Sequence, residues 1–216
     1  MQTYIDKVLN QHIDEPYRSF SMRLLPGVNN ILGVRIPVLR QLASKMDVKD
    51  LIYLDNSSFE SMMLRGLVIA GMDVNDESRL KYVDAYVHDL DNWSHCDTFC
   101  KYLKGIKIDM LIDCAYQYSE FVQRFSLVMF IEHGLVDESI EKVMEVVEHM
   151  QPRGYYSKMA LAWLIASAYI DYPTVVEHWL KTSTHHDEII NLSLRKIRES
   201  NRIDKDTKKR LMLFKR

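Results

Sequence analysis

"YYSKMALAWLIASAY", residues 155–169, decides the fold class. It sits in the most apolar part of the chain, with "MALAWLIASAYI" at 159–170 as its centre. That run is too short to cross a bilayer, which takes about 20 residues. Its apolar residues do not alternate as in a half-buried strand. Here and along most of the chain they recur three and four apart, the spacing of helices. The stretch predicts a buried-type helix over 154–171, with Trp163 read first as a core side chain.

The same spacing extends in both directions. It predicts helices near 2–13, 15–24, 36–46, 48–54, 58–73, 76–90, 94–103, 107–118, 120–133, 137–149, 154–171, 173–182, 186–200 and 204–214. Start signals agree with these bounds. Ser57 with Glu60 fits a capping box, Asn75 precedes the acidic pair Asp76–Glu77, and Pro37 and Pro173 suit first helical turns. Gly66 and Gly71 lie inside a helical pattern, where close helix packing is the usual reason. "PGVNNILGVR", 26–35, is the only long irregular segment, and no linker divides the chain. Helices in series with short connections pair antiparallel, and here pairs recur at roughly 30 to 45 residues, as in helical solenoids. The expectation is an all-α fold: one domain over residues 1–216, with degenerate antiparallel pairs stacked so as to present a concave face.

A chain of 216 residues, 47% hydrophobic and 27% charged, can bury a core without metal or disulfide staples. Three cysteines, an odd number, argue against a disulfide framework. No basic-then-apolar leader opens the sequence, so a reduced, cytoplasmic protein without a membrane span is expected. The net charge of -2 hides an asymmetry. Residues 191–216 carry ten Lys or Arg against three acids, a surplus of seven, which leaves -9 for residues 1–190. Such a tail fits either a polyanion contact or a solvated terminal helix.

Chemistry-bearing residues crowd into "NWSHCDTFCKYL", 92–103. Cys96 and Cys100 share a helix face, but His95 is one residue off it, and no second ligand pair completes a zinc site. No metal is expected, and the cysteines read as small buried hydrophobes. Trp93 and Asp97, four apart, share a face. One reading makes them an aromatic-plus-carboxylate site. The other makes Ser94 the N-cap and Asp97 the third helical residue, close to the positive helix end. "FVQRFSLVMFI", 121–131, adds Arg124 inside an apolar helix, where a cation needs a partner.

Taken together, "FSMRLLPGVNNILGVRIPVLRQLAS", "NWSHCDTF", "QRFSLVMF" and "YYSKMALAWLI" resemble, in order and spacing, four motifs of the HEAT-like-repeat DNA alkylation repair family, the AlkD-type DNA glycosylases. The resemblance runs over most of the chain. It implies a right-handed solenoid of HEAT-like repeats, a monomer, and DNA repair on duplex DNA, alkylated or branched. It implies no cofactor. Asp97 would be the catalytic carboxylate, with Trp93 and Trp163 as aromatic walls. Arg124 would bind phosphate, and Phe20 stands where the family's first motif has a tyrosine. Arg195, Lys196 and Arg198 are the candidate DNA contacts in the basic tail. The implied activity is that of an alkylpurine N-glycosylase, a hydrolase. The family's active members often have an arginine three residues after the second tryptophan, where this chain has Ala166. That departure keeps a non-catalytic DNA-binding protein open. A protein-interaction scaffold is a third reading, prompted by the near-neutral net charge.

Overall fold

A computed structural model describes residues 2–73, 75 and 77–216. The described residues form α-helices, short 3-10 turns and one π turn, without a strand. The all-α expectation holds. No helix among them is long and apolar enough to cross a membrane. The chain divides into two compact units, one ending at Gly105 and the other beginning at Ile106.

The first unit comprises α1 (Gln2–Gln11), α2 (Glu15–Leu24), α3 (Ile36–Ala43), a 3-10 turn (Val48–Tyr53), α4 (Phe59–Ala70), α5 (Arg79–His88) and α6 (Trp93–Tyr102). Helix α4 is its centre and packs against α3, α5 and α6. All of its residues except Arg65 are buried, including Met63, Leu64 and Ile69. Burying side chains of this size contributes roughly 1.5–3 kcal/mol each. Gly66 lacks a side chain because the Tyr86 ring of α5 occupies that space. The Tyr86 hydroxyl donates to the Met62 carbonyl at 3.2 Å.

Two start signals differ from expectation. Helix α4 is capped by Ser58, whose hydroxyl accepts from the Ser61 amide at 3.0 Å, so the box on Ser57 and Glu60 does not form. Glu60, 1% exposed, reaches the irregular segment instead. Its carboxylate accepts from the amides of Leu32 (2.9 Å), Gly33 (2.7 Å) and Val34 (3.1 Å). Buried loop amides need an acceptor, and no helix or strand supplies one there. Gly33 turns the loop at φ +98°, against the Arg18 side chain and the Asp14 carbonyl, where a Cβ would clash. The second difference is α5, which begins at Arg79. Part of the acidic first turn expected for it, Asp76, lies outside the described residues.

The second unit comprises α7 (Ile108–Ala115), α8 (Glu120–Met129) running into a π turn (Phe130–Gly134), α9 (Ile140–His149), α10 (Tyr155–Asp171), α11 (Pro173–Thr182), α12 (Asp187–Glu199), α13 (Lys205–Leu211) and a 3-10 turn (Met212–Phe214). Helix α10 packs against α8, α11 and α12. Carboxylates again tie segments together. Glu120 of α8 accepts from the Tyr156 and Ser157 amides at the start of α10. Glu148 of α9 accepts from the Trp179 indole, the Ser183 hydroxyl, and the amide and hydroxyl of Thr184 at 2.7–2.9 Å. Burial pushes the Glu148 carboxyl up, but these bonds outweigh it and hold it at about 2. Part of the basic tail is structural as well. Arg210 forks onto Glu177 at 2.7 and 2.8 Å, and Arg216 donates to the Leu180 and Ser183 carbonyls.

Replacing Glu60 with alanine would strand three loop amides, those of Gly33 and Val34 buried and that of Leu32 half-buried. We expect a loss of roughly 3 kcal/mol in urea unfolding, with Glu60→Gln recovering part of it. For Glu148 the folded carboxyl lies below its ordinary 4.5. Its stabilisation is therefore full above that value and fades as pH falls from there towards 2. Stability of Glu148→Gln should fall less than wild type between pH 6 and pH 3, measured by urea midpoints.

Candidate nucleic-acid interface

In the first unit the site is built on the start of α6. The N-cap is Asn92, whose side-chain oxygen accepts from the His95 amide at 3.0 Å. The cap thus sits two residues earlier than Ser94. Asn and Ser cap almost equally well, so helix-start chemistry alone did not separate them. The correction moves Asp97 from third to fifth helical residue, beyond the orphan amides it would have capped.

His95 turns inward and is buried. Its Nε2 lies 2.9 Å from the Phe59 carbonyl, and its Nδ1 lies 2.7 Å from the Asn92 amide nitrogen. A carbonyl only accepts, so Nε2 carries the proton and Nδ1 receives the Asn92 N–H. The ring stacks on Phe59 with centroids 4.3 Å apart. His95 therefore joins α6 to the start of α4. Cys96 and Cys100 are buried, Cys114 is half-buried, and no group of three His, Cys, Asp or Glu among the described residues is placed to hold a metal.

With the cap and the histidine accounted for, Trp93 and Asp97 remain as a half-buried pair one turn apart. In a helix such residues lie one above the other. The Trp93 indole donates to the Leu24 carbonyl at the end of α2, at 3.3 Å. That bond orients the ring. Phe20, exposed, stands one turn before Leu24 on the same helix.

In the second unit the outcome for Trp163 reverses the core reading. It is 37% exposed, although α10 is apolar on every side. Its neighbours α8, α11 and α12 cover the rest of the helix and leave a strip open. Trp163 lines a groove of about 300 Å³ with Ala166, Ile170, Lys196 and Glu199. Lys196 pairs with Glu199 at 2.8 Å, and Arg195 approaches the same carboxylate at 3.8 Å. The methyl of Ala166 leaves Lys196 as the cation lining this groove. Arg198 is exposed on α12. Arg124 is 6% exposed, and its guanidinium donates to the Tyr156 carbonyl at 2.9 Å, bracing the start of α10.

Sequence reading assigned no role to Glu199, although its distance of three and four residues from Lys196 and Arg195 is the signal for such pairs. It also passed over Tyr155, which begins the quoted stretch and is exposed on the same helix as Trp163.

The exposed indole is directly testable. The chain has three tryptophans, and Trp179 is buried. Trp163→Phe should remove most of the emission that iodide quenches, whereas Trp179→Phe should leave the quenchable fraction higher.

Comparison with known proteins gives the site its context. No curated protein and no solved structure matches the chain significantly. The model of one family, described as DNA alkylation repair enzyme, matches residues 5–200. That match spans nearly the whole chain and includes Trp93, Asp97, Arg124 and Trp163, so the protein belongs to the DNA alkylation repair enzyme family.

Proposed function

We propose that this protein hydrolyses the N-glycosidic bond of cationic N3- or N7-alkylated purines in duplex DNA. The observation that carries the reading is the half-buried Trp93–Asp97 pair on one face of α6, whose helix cap is supplied by Asn92. Membership of the repair family supplies the DNA partner.

The chemistry asks little of the protein. Alkylation leaves the purine positively charged, so it departs with the electrons of the C–N bond and becomes neutral. No general acid is needed to expel it. The sugar becomes oxocarbenium-like, as in glycoside hydrolysis. The Asp97 carboxylate stabilises that developing charge and orients the water that attacks C1′. Aromatic faces favour cations, which is the role this reading gives to Trp93 in the first unit and, separately, to Trp163 in the second. Arg124, Arg195, Lys196 and Arg198 are the phosphate contacts of this reading, with Phe20 on the first unit's side. Arg124 also braces α10, so its substitution changes fold and binding together. The same reading takes the helices as degenerate HEAT-like pairs of a single right-handed solenoid, acting as a cytoplasmic monomer without a cofactor.

Ala166 favours a second reading, a DNA-binding protein without base excision. The groove at Trp163 holds one lysine, already paired to Glu199, and no arginine.

The two readings separate in a single-turnover base-release assay on methylated duplex DNA. Wild type should release free alkylpurine, and Asp97→Asn should fall by about 100-fold or more while keeping its fold and DNA affinity. Wild-type protein that binds this DNA yet releases no base would sink the glycosylase reading and leave the second.

A further inference from the structure

The face of α10 that carries Trp163 continues towards the start of the helix. Tyr155, Met159 and Trp163 are four residues apart in turn and line one stripe. At the Tyr155 end the stripe opens into a second groove, of about 500 Å³, between α10 and α12. Its walls include Tyr155, Met159, Leu192, Lys158 and Arg195. Tyr155 is 66% exposed, and its ring is held edge-on against Tyr156 with centroids 5.3 Å apart. Two residues earlier in the chain, Arg153 lies over the ring of Tyr118, which is 81% exposed, at 4.6 Å from its centroid.

We infer that this groove is a binding site for an unpaired DNA strand, with Tyr155 as a base-stacking platform. Three observations carry it. An exposed tyrosine in an open groove is a large apolar face without a packing partner on its open side, and every base offers a π-face to it. Two cations line the groove: Arg195, held only loosely at 3.8 Å from Glu199, and Lys158, which is neutralised by both oxygens of Glu188 at 2.8 Å. With Lys158 and Arg195 against Glu188, the lining carries one net positive charge, which fits a phosphate backbone and disfavours an acid-free apolar peptide. Spacing then selects a strand over a single nucleotide. Eight residues of helix set Tyr155 and Trp163 about 12 Å apart along the axis. That is too far to close on one base, but it equals three to four steps of about 3.4 Å between stacked nucleotides.

The inference rests on the DNA-binding reading and narrows it to duplex that adjoins unpaired nucleotides. The test is fluorescence anisotropy of the full chain with a labelled blunt duplex, the same duplex with a four-nucleotide overhang, and the overhang strand alone. Wild type should hold the overhang duplex about tenfold tighter than the blunt one, in line with stacking of one base. Tyr155→Ala should bring the two within twofold and leave blunt-duplex affinity unchanged, whereas Tyr155→Phe, which keeps the ring, should retain the preference. Polyglutamate of matched charge should not displace the overhang duplex. Equal affinities in wild type, a preference that survives Tyr155→Ala, or displacement by polyglutamate would overturn the inference. Intact blunt-duplex binding and base release without overhang preference would overturn this inference alone. Failure to bind any of these DNAs would overturn the proposed function with it.

Discussion

A protein made of short helices has a recurring difficulty at their ends. The first backbone amides of every helix, and those of the turns between helices, lack partners in their own element. Buried, each would cost free energy comparable to a lost hydrogen bond. This chain meets the difficulty with carboxylates sent from one segment to another. Glu60 gathers three amides of the 26–35 segment, Glu120 those at the start of α10, and Glu148 the groups that precede α12. The positions of Trp93 and Trp163 follow from these ties. Glu60 secures the segment between α2 and α3, and α2 ends at the Leu24 carbonyl that orients Trp93. Glu120 and Arg124 together fix the first turn of α10, and so the angular position of the whole Tyr155–Met159–Trp163 stripe.

The two candidate surfaces differ in how they are built. On α6 the pair Trp93–Asp97 lies among tightly committed neighbours, since Asn92, His95 and Phe59 form a closed hydrogen-bonded and stacked set. The proposed role of Asp97 would call for that rigidity, because electrostatic stabilisation depends on a preorganised position. On α10 and α12 the surface is two grooves, each with an exposed ring and cations partly paired to Glu188 or Glu199. Pairs on the surface are weak and screened by salt. Exchanging such pairs for phosphates would cost little, as the proposed DNA contact requires. Arg210 and Arg216, by contrast, are spent on Glu177 and on backbone carbonyls. The positive surplus of the tail is therefore divided between holding α13 in place and facing solvent.

Local signals in the sequence were sufficient for element type and nearly for element bounds. Helical spacing is a property of the chain itself, and so is the shared face of residues four apart, which is why Trp93 with Asp97 could be singled out beforehand. The motif order pointed to the family that the comparison then returned. What local signals could not do was choose between chemically equivalent neighbours. Asn92 and Ser94 are both good caps, as are Ser57 and Ser58, and the choice falls to whichever register lets His95 reach Phe59 and Glu60 reach the loop amides.

Exposure was the larger gap. An apolar helix such as α10 has no polar face to announce which side meets water, so Trp163 reads as core, and Tyr155 goes unremarked, until the neighbours of α10 are placed. Likewise Glu60 looks like half of a capping box until a loop some thirty residues away needs its oxygens. Periodicity, capping chemistry and motif order are written in short windows of sequence, and they determine that this is an all-helical member of a DNA repair family. Which side chains end up in the grooves depends on contacts between residues far apart in the chain. Such contacts are won by packing and by the pairing of buried polar groups, and these come into being only when the helices meet.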